Sequence, residues 1–157
     1  MLFAVEQSQA EQQLASFIAK FSPEIAALAQ SILVAMRQCY PTAIELVYDN
    51  YNALAIGFGP SEKASEAIFS IAIFPKWVSL FFLQGAGLPD PDGILRGSGN
   101  VARHIRVPSA DILSELSVKK MMGEATRRAA IPFAPRGTPR LIIKSISAKQ
   151  RPRRPQS

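Results

Sequence analysis

Hydrophobic spacing divides the chain into helical ends and a β-rich centre. Leu14, Phe17, Ile18 and Phe21 recur at i, i+3, i+4 and i+7, predicting a helix over about Val5 to Phe21. Ser22 then caps a second helix: Pro23 suits the first helical position, where its missing N–H costs nothing, and Glu24 complements the positive helix end. Ile25, Leu28, Ala29, Ile32 and Met36 give this helix one apolar stripe, and Pro41 stops it. From Thr42 the period falls to two. Ile44, Leu46 and Tyr48 alternate with their neighbours as in a half-buried strand, Asp49 with Asn50 or Asn52 supplies a turn, and Leu54, Ile56 and Phe58 return.

After the polar loop SEKASEA come two runs, Ile68 to Phe74 and Trp77 to Leu83, separated by Pro75–Lys76. Both are apolar at odd and even positions, which predicts central strands covered on each face. Val101 to Val107 places β-branched residues at alternate positions and reads as a further strand. Ser109 opens a short helix with Asp111 in its first turn, and Ser117 is the expected cap of the next, whose stripe is Val118, Met121, Met122, Ala125 and Ala129. Pro132, Pro135, Gly137 and Pro139 mark a linker, LIIKSI at 141–146 reads as an edge strand, and AKQRPRRPQS as disordered. The pattern predicts a single α+β domain over 1–132: a mostly antiparallel sheet of five to six strands with N-terminal and C-terminal helices packed on it. A Pro- and Arg-rich basic segment follows over 133–157.

Composition narrows the setting. Hydrophobic content of 48% with 19% charged residues supports a self-sufficient core for 157 residues. Cys39 is the only cysteine, so an internal disulfide is impossible and a reducing cytoplasm is the natural compartment. The N-terminus lacks a cationic start before its short apolar run, which predicts no secretory signal, and Pro75–Lys76 breaks the most apolar stretch, arguing against a membrane span.

The net charge of +6 conceals an asymmetry. Residues 1–124 hold all 12 acids and nine of the 18 Lys and Arg, whereas 125–157 hold the other nine cations and no acid. Such a tail suits solubilisation, docking to a protein partner, or contact with nucleic acid; three to five phosphate contacts would give a log–log salt slope of about −3 to −5. No aromatic residue follows Phe133, so the tail itself brings no base stacking.

Candidate chemistry concentrates in Leu88 to Val107, LPDPDGILRGSGNVARHIRV. Asp90 and Asp92 lie two apart like paired metal ligands, yet Asp–Pro and Asp–Gly are standard turn chemistry. Gly97, Ser98 and Gly99 could present backbone N–H groups to an anion, with Arg96, Arg103, His104 and Arg106 adding charge; a loop needing glycine freedom is the alternative. Neither a phosphate loop nor a dinucleotide fingerprint fits, because a strand follows where a helix should begin. On a strand, His104 and Arg106 share one face, Arg103 and Ile105 the other. Arg103 is expected to pair with Asp90 or Asp92. A Ser98–His104–Asp triad can be drawn, without the sharp-turn motif that usually presents such a serine. Cys39 is expected to pack as a small apolar residue.

The stretch from Leu80 to Ile105 resembles the YdhG-like family, a domain of unknown function. The resemblance rests on SLFFLQGAGLPDP, on Gly93-Ile94-Leu95 with Arg96-Gly97-Ser98-Gly99, and on Arg103-His104-Ile105 before a Ser/Asp-opened helix. The layout extends over roughly Ile25 to Ala130, with a specific motif of about twenty residues. The family pattern carries lysine after the second glycine, where this chain has Asn100. Some members are described as frataxin-like iron chaperones; the resemblance thus implies iron as an alternative ligand, with Asp90, Asp92 and His104 at the matching positions. The primary expectation from the residues themselves is a non-enzymatic binding module for a small anionic ligand or protein partner, with no cofactor specified and no membrane contact.

Overall fold

The computed structural model describes residues 2–155. Two N-terminal helices, α1 (Leu2–Ala19) and α2 (Pro23–Cys39), precede four strands, β1 (Ile44–Asp49), β2 (Leu54–Gly59), β3 (Phe69–Ile73) and β4 (Val78–Phe82). A long loop leads to β5 (Arg103–Arg106), a 3-10 turn (Ala110–Ser114), α3 (Leu116–Arg128) and β6 (Arg140–Ile146). The sheet order is β5-β4-β3-β2-β1-β6, antiparallel throughout except for the parallel β1–β6 pair. The fold is therefore α+β, with one mixed six-stranded sheet.

Strand register sorts the two faces. Val47, Ile56, Ile71, Leu80 and Ile105 form one cross-strand row, and Phe58, Phe69 and Phe82 form the next; all are buried. Both rows belong to the cluster that includes Leu14, Phe17 and Ile18 of α1 and Ile32 and Met36 of α2. The helices thus cover this face. Truncating one of the phenylalanines to Ala would cost about 3–5 kcal/mol.

The other face is built differently. Ala55, Ala72, Ser79 and Arg106 make one row, and Gly57, Ser70, Phe81 and His104 the next. The expectation that β3 and β4 are covered on both faces holds in part: no residue of these two rows belongs to the helix-packed cluster, yet Gly57, Ala72 and Ser79 are buried, and the face opens to solvent toward β5, where Phe81 and His104 are half-buried and Arg106 is exposed. The β2–β3 loop folds back over this face, where a side chain at Gly59 would meet Ala67 Cα at 2.9 Å.

Local signals hold elsewhere, with exceptions. Ser22 Oγ accepts the Ile25 N–H at 3.4 Å, and Ser109 Oγ accepts that of Asp111 at 3.2 Å. Ser117 lies inside α3 and does not cap it; Glu115 holds the cap position without a side-chain bond. Cys39 is exposed, so it does not serve the packing role expected of it. Arg37 on α2 joins three elements, donating to both carboxylate oxygens of Glu45 on β1 at 2.8 Å and to Glu11 of α1 at 2.8 Å. Burial pushes the Glu45 carboxyl above its ordinary value against the pull of Arg37.

The largest departure is the C-terminal segment, expected to be disordered. The Ser147 N–H donates to Asp49 O at 2.9 Å and the Arg151 N–H to Tyr51 O at 2.9 Å. Arg153 is buried; its Nη2 donates to Asp49 Oδ1 at 2.8 Å, and its guanidinium lies 5.6 Å from the Phe21 ring centre. Asp49, read from sequence as a turn residue, is the last residue of β1 and only 1% exposed. A buried carboxylate without a partner is costly, and the tail supplies its cation. Gln156 and Ser157, the last two positions of the stretch read as disordered, lie outside the described residues.

Candidate functional site

The β4–β5 connection is organised by its own turn chemistry. Both oxygens of Asp90 accept backbone N–H groups, from Ile94 and from Leu95, each at 2.9 Å, while Gly93 adopts φ +66°. That is the self-capping turn expected of the Asp–Pro–Asp–Gly run, with Asp90 as its cap. Asp92 is exposed beside it. Arg96 and His104 then exchange backbone hydrogen bonds at 2.8 and 3.0 Å, pinching 97–103 into an exposed excursion that starts with Gly97 at φ +110°. A side chain with a Cβ would be strained there.

Arg103 closes this excursion. Its Nη1 donates to Ala102 O at 2.7 Å and to Gly99 O. The expected ion pair with Asp90 or Asp92 does not form; Asp90 is engaged by the loop backbone, and Arg103 satisfies carbonyls. Gly85 makes room for it, since a side chain there would come within 2.9 Å of Arg103 Cβ.

His104 and Arg106 point the other way, as their alternation requires. His104 stacks on Phe81, its cross-strand partner, with ring centres 4.8 Å apart. The Arg106 guanidinium lies 4.2 Å from the centre of the Trp77 ring, which stacks on Phe74 at 5.0 Å. Flat groups therefore line the open edge of the outer face, each guanidinium or imidazole backed by an aromatic ring. Partial burial, then the fields of Arg96 and Arg106, hold the His104 imidazolium below its ordinary range. Among the described residues, no carboxylate lies within 4.0 Å of Arg96, His104 or Arg106.

The structure thus brings together only part of the predicted set. His104 and Arg106 share the outer face; Gly97, Ser98 and Gly99 form the exposed loop next to it; Arg103 faces away and is structural. Asp90, Asp92 and His104 do not converge, and among the described residues no group of three His, Cys, Asp or Glu side chains could hold a metal ion. Ser98 and His104 share no hydrogen bond with either aspartate, so the drawn triad has no geometric counterpart. Sequence reading missed Phe74, Trp77 and Phe81 as partners. The signal was present: Trp77, just before β4, alternates with Ser79 and Phe81 as His104 does with Arg106 on β5, but only the register sets Ser79 opposite Arg106 and Phe81 opposite His104.

A groove of about 890 Å³ lies between the 89–94 turn and α3, lined by Ile94, Leu116 and Met121 among side chains of both charges. Along the C-terminal segment the charge asymmetry softens, because Arg127 and Arg128 pair with Glu124, Arg140 with Glu62 and Arg153 with Asp49. Among the described residues, no helix is long and apolar enough to cross a membrane. No protein-family model, curated protein or solved structure matches the chain.

Proposed function

We propose that this chain is a non-enzymatic binding module of YdhG-like type, working in the cytoplasm, whose outer β4–β5 face takes a small anionic ligand. The observation that carries this reading is the trio Arg96, His104 and Arg106, gathered without a neutralising carboxylate at the β5 end of the face that does not pack on the helices. The aromatic rings behind His104 and Arg106 fix these groups in place, so little side-chain freedom is lost when an anion binds. Gly97, Ser98 and Gly99 lie alongside and add backbone donors at the rim. His104 has aromatic and cationic neighbours in place of a nucleophile or acid partner, which suits recognition better than proton transfer.

Titration with inorganic phosphate and with nucleoside monophosphates, followed by backbone amide shifts, tests the reading. Responses confined to 96–106 and to Trp77 are expected, and Arg106→Ala should weaken binding by about tenfold, the loss of one charge-assisted contact. Saturating phosphate without movement of any of these amides would reject it.

A further inference from the structure

A second surface emerges where the C-terminal segment settles on the fold. Ile146, Asp49, Leu54, Ile73 and Val78 form one register row across five strands, so the β1–β2 turn, the β3–β4 turn and the start of the tail all leave the sheet at the same end. The two turns are two strand spacings apart, about 10 Å. This end carries exposed Lys76 on one turn, exposed Tyr51 on the other, and Lys149, Arg151 and Arg154 from the tail. Arg154 Nε donates to the Lys20 carbonyl at 3.2 Å, which brings Lys20 to the same place. An open groove of about 680 Å³ runs between Lys20 and residues 150–155.

Three properties make this a built site and not a solvated charge run. The tail is fixed: Arg153 occupies a buried ion pair with Asp49, and the Arg151 N–H is bound to Tyr51 O. The charge is uncompensated: among the described residues no carboxylate lies within 4.0 Å of Lys76, Lys149, Arg151 or Arg154, and Asp49 is consumed by Arg153 and Lys20. Finally, the fold supplies the aromatic group that the tail lacks in sequence, since the Arg151 guanidinium lies over Tyr51, 5.6 Å from its ring centre. Cations that track a phosphate backbone, interleaved with a ring and a flat guanidinium on which bases stack, are the elements of single-strand recognition.

We infer that this end of the sheet binds single-stranded nucleic acid, with Lys76, Lys149 and Arg154 contacting phosphates and the Tyr51–Arg151 pair stacking on a base. The ordering cost that a flexible basic tail would bear on binding is already met by folding. Direct base-edge readout is not built in, so the preference is for unpaired strands over duplex and not for one sequence.

Fluorescence anisotropy on the full chain tests this, with a labelled oligothymidylate of about 12 nucleotides, the corresponding duplex, and vesicles of phosphatidylglycerol in phosphatidylcholine. The single strand should bind about tenfold tighter than the duplex, with a log–log salt slope of about −2 to −4 for three to five phosphate contacts. Arg151→Ser with Arg154→Ser should weaken it by at least about tenfold, and Tyr51→Ala by at least about fivefold with Tyr51→Phe restoring it. Arg151→Lys reads the same stacking contribution by keeping charge but not the planar group, so a poorly folding Tyr51→Ala does not block the test. No binding at low salt overturns the inference. So does equal affinity for strand and duplex with silent Tyr51 and Arg151 variants, which would mark a general polycation, or vesicle binding in preference to oligonucleotide, which would mark a membrane-facing surface.

Discussion

The two edges of the sheet each depend on one arginine, and they use it in opposite ways. At the β5 edge, Arg103 is half-buried and holds a solvent-exposed loop by donating to backbone carbonyls. At the β6 edge, Arg153 is buried and neutralises a carboxylate that is itself buried. Water can replace much of what Arg103 provides. It cannot reach Asp49. Local turn chemistry therefore suffices for the first edge, whereas the second is held across 104 positions of sequence.

This contrast predicts a steep order of effects. Asp49→Ala leaves Arg153 buried and unpaired, and should lower unfolding stability by about 3–5 kcal/mol in urea denaturation. The paired change Asp49→Leu with Arg153→Met should recover much of that loss, because a well-packed apolar pair avoids the desolvation of both ions. A loss as large as in the single variant would mean that the pair provides more than charge compensation. Arg103→Ala should cost only about 1 kcal/mol, the typical net value of an intramolecular hydrogen bond, with amide shifts confined to 97–102. Global unfolding by that variant would erase the distinction between the two edges.

The smallest effect concerns pH. The His104 imidazole accepts a proton less readily in the folded protein than in the unfolded chain. Its contribution to stability is therefore full above about pH 6.5 and is lost as pH falls through the lowered folded value. His104→Phe keeps a ring on Phe81 and should flatten this part of the stability profile relative to the parent chain. An unchanged profile would show that the imidazole is not held back by its surroundings.

Much of the scaffold was legible because its causes are local. Ser22, Pro23 and the stripe through Met36 specify α2 within one segment, and the turn at Asp90 follows from Asp–Pro and Asp–Gly chemistry. What escaped reading is non-local. The apolar runs of β3 and β4 suggested two covered faces, and Ala72 and Ser79 are indeed buried on the outer one, but nothing in the runs declares which face meets the helices. The tail looked disordered because its composition is that of a solvated chain, and because its anchor, Asp49, sits beside Asn50 where aspartate usually makes a turn. At the site, alternation separated Arg103 from His104 and Arg106, yet the rings beneath the latter two appear only once β4 is aligned against β5.

The most direct test of the proposed anion-binding face is the titration of the single histidine, followed through its ring proton resonances. In the free protein His104 should titrate below the ordinary value of about 6.5. Adding inorganic phosphate should raise it, because a bound anion offsets the fields of Arg96 and Arg106, and Arg106→Ala should raise it in the absence of phosphate. A His104 that titrates at its ordinary value, unmoved by phosphate or by loss of Arg106, would contradict the account.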